Sequence, residues 1–108
     1  MHEVPTITPQ ALKAELEGPN PPQLLDVRED DEREISVLDD HAHIPLDDLQ
    51  DRFRELDASA NWVVYCRTGK RSHNAAAYLK HRGFTQVRNL ETGINGWAET
   101  IDPSMTTY

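Results

Sequence analysis

Val63-Val64-Tyr65-Cys66-Arg67-Thr68-Gly69-Lys70-Arg71-Ser72 carries an apolar run, with the chain's only cysteine at its end, straight into a short cationic loop. From Ser72 an alanine-rich pattern with Ala75, Ala76 and Leu79 at helical spacing begins. The stretch therefore predicts a buried strand, a tight loop and a helix over residues 72–82, closed by Gly83. Such a junction aims backbone N–H groups and the positive end of a helix dipole at whatever sits in the loop. A lone cysteine is most often a buried structural thiol. Placed here, beside Arg67, Lys70 and Arg71, it reads instead as a thiol that ionises readily and acts as a nucleophile.

Outward from that junction, strands and helices alternate. Residues 1–7 read as a short edge strand or an extended entry, and Thr8-Pro9 as a helix start with an N-cap and proline at the first helical position. Ile7 and Leu12 form a hydrophobic staple across that start, and the helix stops near Gly18 before Pro19-Asn20-Pro21-Pro22. Gln23 to Arg28 is a short buried strand with charge at its C-terminal end, where open α/β sheets build their sites. The acidic run over residues 29–34 reads as a solvated loop or helix turn. Ile35, Val37 and Leu38 then mark a return to the core ahead of the acidic turn at Asp39-Asp40. A helix carrying Leu49, Phe53 and Leu56, a central strand at Trp62–Tyr65, a last strand around Val87 and a terminal helix from Thr92 complete the series. This alternation predicts an α/β fold, three layers with a central parallel sheet flanked by helices, as one domain over residues 1–108.

At 108 residues, with 37% hydrophobic and 28% charged residues, the chain suits one modest core. No apolar run is long enough for a membrane span, and no signal-peptide pattern opens the chain. One cysteine makes no internal disulfide, so the cytoplasm is the expected compartment. A formal net charge of −8 argues against nucleic acid and anionic membranes as partners. Against that background, three of the eleven basic residues fall within residues 67–71.

Arg71 follows Cys66 by five positions. A loop of that length, with Gly69 free to take positive φ, can gather the N–H groups from about Arg67 to Ser72 on one point, as an anion nest. Asp26 and Arg28 read as a charge pair that holds its strand end rather than as catalytic groups. His41-Ala42-His43 with Asp39 is a weak metal signature, and no metal site is assigned. His73 reads as exposed, and Trp62 and Trp97 as core anchors.

Cys66-Arg67-Thr68-Gly69-Lys70-Arg71-Ser72 resembles the active-site loop of rhodanese domains, which carry sulfur as a cysteine persulfide. Leu25-Asp26-Val27-Arg28-Glu29, Ile44-Pro45-Leu46 and Gly93-Ile94-Asn95-Gly96-Trp97 are similar to further elements of that family, so the likeness spans nearly the whole chain. The tail from Ile101-Asp102-Pro103-Ser104 to Tyr108 is similar to rhodanese domains fused behind adenylyltransferases of the ubiquitin-activating type, which serve molybdopterin, thiamine or tRNA sulfur transfer. The chain departs from the family between Ile35 and Ile44. There Val37-Leu38-Asp39-Asp40-His41 replaces the usual turn and its Pro-Gly pair.

The resemblance implies a sulfurtransferase with Cys66 catalytic and Arg67, Thr68, Gly69, Lys70, Arg71 and Ser72 binding substrate. It implies no cofactor beyond the covalent persulfide. The implied partners are a small anionic donor such as thiosulfate, a cysteine desulfurase, and a ubiquitin-like sulfur-carrier protein. Two other classes compete. Rhodanese-fold phosphatases use Cys-x5-Arg, one residue longer than the spacing here, because phosphate needs a wider loop. A non-catalytic or redox-sensing interaction module is the other, and non-catalytic relatives typically lack the cysteine.

Overall fold

In a computed structural model, described here for residues 3–108, five strands form one all-parallel sheet in the order β1-β5-β4-β2-β3. The strands are β1 (Thr6–Ile7), β2 (Gln23–Asp26), β3 (Ala42–His43), β4 (Asn61–Tyr65) and β5 (Gln86–Leu90). The helices are α1 (Pro9–Leu16), α2 (Asp30–Arg33), α3 (Leu49–Arg52), α4 (Lys70–His81) and α5 (Gly93–Thr100). The edge strand expected at the start is the two residues of β1, and Met1 and His2 lie outside the described residues. No helix among the described residues is long and apolar enough to cross a membrane.

Alternation along the strands builds the three layers. Leu25, Trp62 and Val64 face one side, where Leu49, Phe53, Ala75, Ala76, Leu79 and Phe84 cover them. Leu24, Val63 and Tyr65 face the other, against Ile7, Leu12, Leu38, Leu90 and Ile94. Because both faces are buried, β4 reads as a continuous apolar run rather than an alternating one. Connections from β4 lead to β5 on one side, while those from β2 lead to β3 on the other. The C-terminal ends of β2 and β4 therefore meet at a topological switch point, where such sheets characteristically leave a crevice for a site.

Local signals account for most element ends. The Thr8 side chain accepts the Ala11 N–H at 3.2 Å, with Pro9 opening the helix. At the end of α4, Gly83 takes φ 97°, and the N–H groups of Gly83 and Phe84 return to the carbonyls of Lys80 and Leu79. That helix begins at Lys70, two residues earlier than its apolar pattern suggests, because the left-handed Gly69 is its N-cap.

Two expectations need correction. The helix through Leu49, Phe53 and Leu56 is one α-helical turn between two 3₁₀ turns, Leu46–Asp48 and Phe53–Glu55. Ile35 and Val37 do not return to the core: each is 41% exposed, and only Leu38 is buried. The backbone here serves the guanidinium of Arg28, which donates to the Ser36 carbonyl at 2.7 Å. Turning that carbonyl inward leaves the two flanking side chains facing out.

Candidate active site

Cys66 directly follows β4, is 1% exposed, and its sulfur accepts three hydrogen bonds. The N–H of Gly69 donates at 3.2 Å, the N–H of Ser72 at 3.4 Å and the Ser72 hydroxyl at 3.3 Å. Burial pushes the thiol up, but the Ser72 hydroxyl and the N–H groups of Ser72, Gly69 and Thr68 outweigh it and leave the thiol below its ordinary range. Of the predicted run of amides, those of Gly69 and Ser72 lie closest to the sulfur, and that of Thr68 adds to its stabilisation.

The loop keeps its amides inward because its carbonyls are held elsewhere. The first turn of α5 takes them: Ile94 N–H donates to the Cys66 carbonyl at 2.9 Å and Asn95 N–H to the Arg67 carbonyl at 3.1 Å. Contact this close requires glycine at the helix start, since a Cβ on Gly93 would lie 2.3 Å from the Arg67 carbonyl oxygen. Gly69 meets no such obstacle, and its φ of 103° is what demands glycine there. The glycine-rich segment at residues 93–97 thus acts on the Cys66 loop from the far end of the chain.

The three basic residues separate into two kinds. Arg71 is fastened: its two terminal nitrogens meet the two carboxylate oxygens of Glu32 at 2.7 and 2.8 Å. That bidentate bond raises its pKa further, and the neighbouring Cys66 charge adds to it. Arg67 and Lys70 are exposed and form no ion pair among the described residues. Arg67 lies over the ring of Tyr108, 5.0 Å from its centroid. Thr68 is exposed beside Arg67, and Ser72 is fully buried against the sulfur.

Asp26 and Arg28 are both fully buried at the end of β2. The guanidinium meets the carboxylate at 2.9–3.2 Å and also donates to the carbonyls of Glu32 and Ser36 and to the Tyr108 hydroxyl. Asp26 takes a second cation, Arg33, which reaches on to Asp40. Neither Asp26 nor Arg28 bonds the Cys66 sulfur. They stabilise the segment that carries Glu32, and through it Arg71.

Three residues that build the site were not singled out in the sequence. Glu32 lies in the acidic run expected to be solvated, where Glu29 and Glu32 form a capping box around α2. The Glu-x-x-Glu spacing was a signal for that box, but nothing local pointed to Arg71 as its partner. Tyr108 returns over the crevice, accepting from Arg28 at 2.9 Å and donating to Glu32 at 2.7 Å. Asn89 bonds both Ser72 and the Gly69 carbonyl. His41 and His43 have backbone partners: the Leu24 N–H donates to His41 Nδ1, and His43 Nε2 meets the Arg28 carbonyl. His73 is exposed, Trp62 is buried, and Trp97 is half-buried against the second core cluster.

Glu32 carries a pH dependence. Arg71, with help from the Glu29 N–H and the Tyr108 hydroxyl, holds its carboxyl down at about 2. A carboxyl lowered on folding stabilises fully above its unfolded pKa of about 4.3, and that stability is lost as pH falls through the folded value. Urea midpoints of wild type and Glu32→Gln should therefore differ most above about pH 5 and converge toward pH 2. A constant gap across that range would show that the pair does not couple to folding.

The thiol of Cys66 thus sits in a cradle of amides at the start of α4, with Arg71 close enough to feel its charge. The chain belongs to the rhodanese-like family: the model described as "Rhodanese-like domain" matches residues 8–100. A protein of Allochromatium vinosum named Sulfurtransferase is 36% identical over 75 residues, covering 69% of this chain and 70% of that one. A maize protein named Adenylyltransferase and sulfurtransferase MOCS3-1 is 30% identical over 109 residues. The match covers 94% of this chain but only 23% of the maize protein. The crystal structure of a rhodanese-like domain protein from Staphylococcus aureus superposes with a TM-score of 0.83 at 27% identity, covering 97% of this chain and 99% of that one.

Proposed function

We propose that this chain is a sulfurtransferase that carries sulfane sulfur on Cys66. The observation that carries the reading is the sulfur held by Gly69 and Ser72 at the start of α4, in a loop with Arg71 five positions on, within a rhodanese-like domain. The Cys66 thiolate attacks the outer sulfur of thiosulfate, a new S–S bond forms, and the old S–S bond breaks with its electron pair leaving on sulfite. An acceptor nucleophile then takes the outer sulfur and returns Cys66 as thiolate. The transfer is thereby split into two steps by a covalent intermediate. The loop amides and helix dipole stabilise the anionic sulfur, and the cycle needs no metal or organic cofactor.

A protein persulfide, such as that of a cysteine desulfurase, fits the donor role equally in chemical terms. The likeness to part of a protein named for adenylyl and sulfur transfer suits a place in a sulfur relay, and the acceptor proposed there is a ubiquitin-like carrier. The reading places this chemistry in the cytoplasm, consistent with a single unpaired cysteine.

Arg67 and Lys70 serve to attract the donor, whereas Arg71 serves loop order. Neutralising Arg67 or Lys70 should raise KM for thiosulfate a few-fold and flatten its salt dependence, because exposed charges are screened. Arg71→Ala should lower kcat instead, by releasing Glu32 and the loop. Steady-state kinetics of the three variants across ionic strength test this. Equal losses, with no salt dependence in the wild type, would refute the division. Intact mass after thiosulfate, before and after reductant, tests the proposal as a whole.

A further inference from the structure

The Ser72 hydroxyl has one hydrogen and two acceptors within reach, and Asn89 is the second. Its amide oxygen lies 2.6 Å from Ser72 Oγ, while the Cys66 sulfur lies 3.3 Å from the same oxygen. Asn89 is 5% exposed and its orientation is set, because Nδ2 donates to the Gly69 carbonyl at 3.0 Å and leaves only the oxygen facing Ser72. That carbonyl also accepts from His73 N–H at 3.1 Å, so it keeps a partner without Asn89. Asn89 arrives from β5, directly opposite Val64 of β4, the strand that leads into Cys66.

We infer that Asn89 is a positioning residue that turns Ser72 into a hydroxyl rotor following the charge on the Cys66 sulfur. With the sulfur protonated, or bridging in a persulfide, the hydroxyl hydrogen points to Asn89. With the sulfur ionised, the hydrogen swings to it and the Asn89 oxygen is left without a donor. This rests on the proposed sulfur transfer for its place in the cycle. When cyanide takes the outer sulfur, CN⁻ and Cys66–S–S⁻ give SCN⁻ and Cys66–S⁻. The breaking S–S bond leaves its electron pair on the cysteine sulfur, and the rotor donates to that departing thiolate. Asn89 thus sets the leaving-group quality of Cys66 without touching it.

The test is the pH dependence of Cys66 alkylation by iodoacetamide in the whole chain, read as the midpoint for thiolate formation. Ser72→Ala should raise the midpoint by about one unit or more, the worth of a hydrogen bond to a charged group. Asn89→Ala should lower it, because the thiol form loses the Ser72–Asn89 bond and the thiolate form loses a stranded acceptor. In the Ser72→Ala background, Asn89→Ala should leave the midpoint in place. An unchanged or raised midpoint in Asn89→Ala, or an equal shift with and without Ser72, overturns the inference.

If Asn89→Ala does not fold, the nearly isosteric Asn89→Asp replaces it. Its carboxylate should raise the midpoint more with Ser72 present than with Ser72→Ala, and equal shifts overturn the rotor. These readouts need no sulfur donor. A wild type that never takes up sulfur would remove the proposed function while leaving the midpoints to decide the rotor. If the persulfide does form, Ser72→Ala should slow its cyanolysis about threefold, since about one pKa unit in the leaving thiolate is expressed only in part in the rate of sulfur transfer. Cyanolysis at the wild-type rate would overturn the rotor's part in transfer.

Discussion

Cys66→Ser is expected to abolish sulfur transfer while leaving the domain folded. Wild-type protein incubated with thiosulfate should gain one sulfur atom, removed by cyanide or dithiothreitol, and the variant should gain none. Thiocyanate formation should fall by about three orders of magnitude or more, to the uncatalysed level, because a hydroxyl forms no persulfide. The fold should tolerate the change. The new oxygen would sit among the same donors, Gly69 N–H and Ser72, so a buried polar atom is introduced with its partners already present. The expected cost is about 1 kcal/mol, read as a small shift in the urea midpoint. Retained turnover in a folded variant would refute the persulfide mechanism.

The largest loss of stability is expected from Asp26→Ala. It leaves the Arg28 guanidinium, wholly removed from water, without its carboxylate. Stranding one member of a buried ion pair costs about 3–5 kcal/mol, a large part of the roughly 5–15 kcal/mol that holds a domain together. Arg28→Met should cost less, since Asp26 keeps Arg33 and the Arg28 backbone N–H. Asp26→Ala combined with Arg28→Met should recover part of the single-variant loss, because no unpaired charge then remains on Arg28. Urea denaturation of the three variants measures this. An Asp26→Ala cost below about 1 kcal/mol would mean that water reaches Arg28 in the folded chain. The consequence for the site runs through α2, because Arg28 holds the Glu32 carbonyl and Tyr108, and Glu32 in turn holds Arg71.

That chain of contacts marks the limit of what is legible in the residues alone. The parallel sheet and the order of elements other than β3 follow from periodicity and from turn residues, which act over a few positions; the two residues of β3 are too few to show a period. The Ser72 contact with Cys66 is equally local, six residues apart, so strand, loop and helix start bring it about. Glu32 is different. It lies 39 positions before Arg71, in a run whose composition alone describes a solvated face. Ile35 and Val37 fail for a related reason. Apolar residues in an irregular segment have no period to say which way they point, and the buried Arg28 decided it by drawing in the Ser36 carbonyl.

The α/β class, the placement of Cys66 at a strand-to-helix junction and the need for glycine at position 69 are written in the order of residues along the chain. Each is a matter of neighbouring dihedral angles and side-chain spacing. Tertiary structure alone decided which cations stay free, which group competes for the Ser72 hydrogen, and what covers the crevice. Arg71 is neutralised from α2, Asn89 reaches in from β5 across 17 positions, and Tyr108 meets Arg28 across 80. Parallel strands force such pairings, because every neighbour in the sheet is reached by a crossover and the strand ends that form a site are distant in the chain.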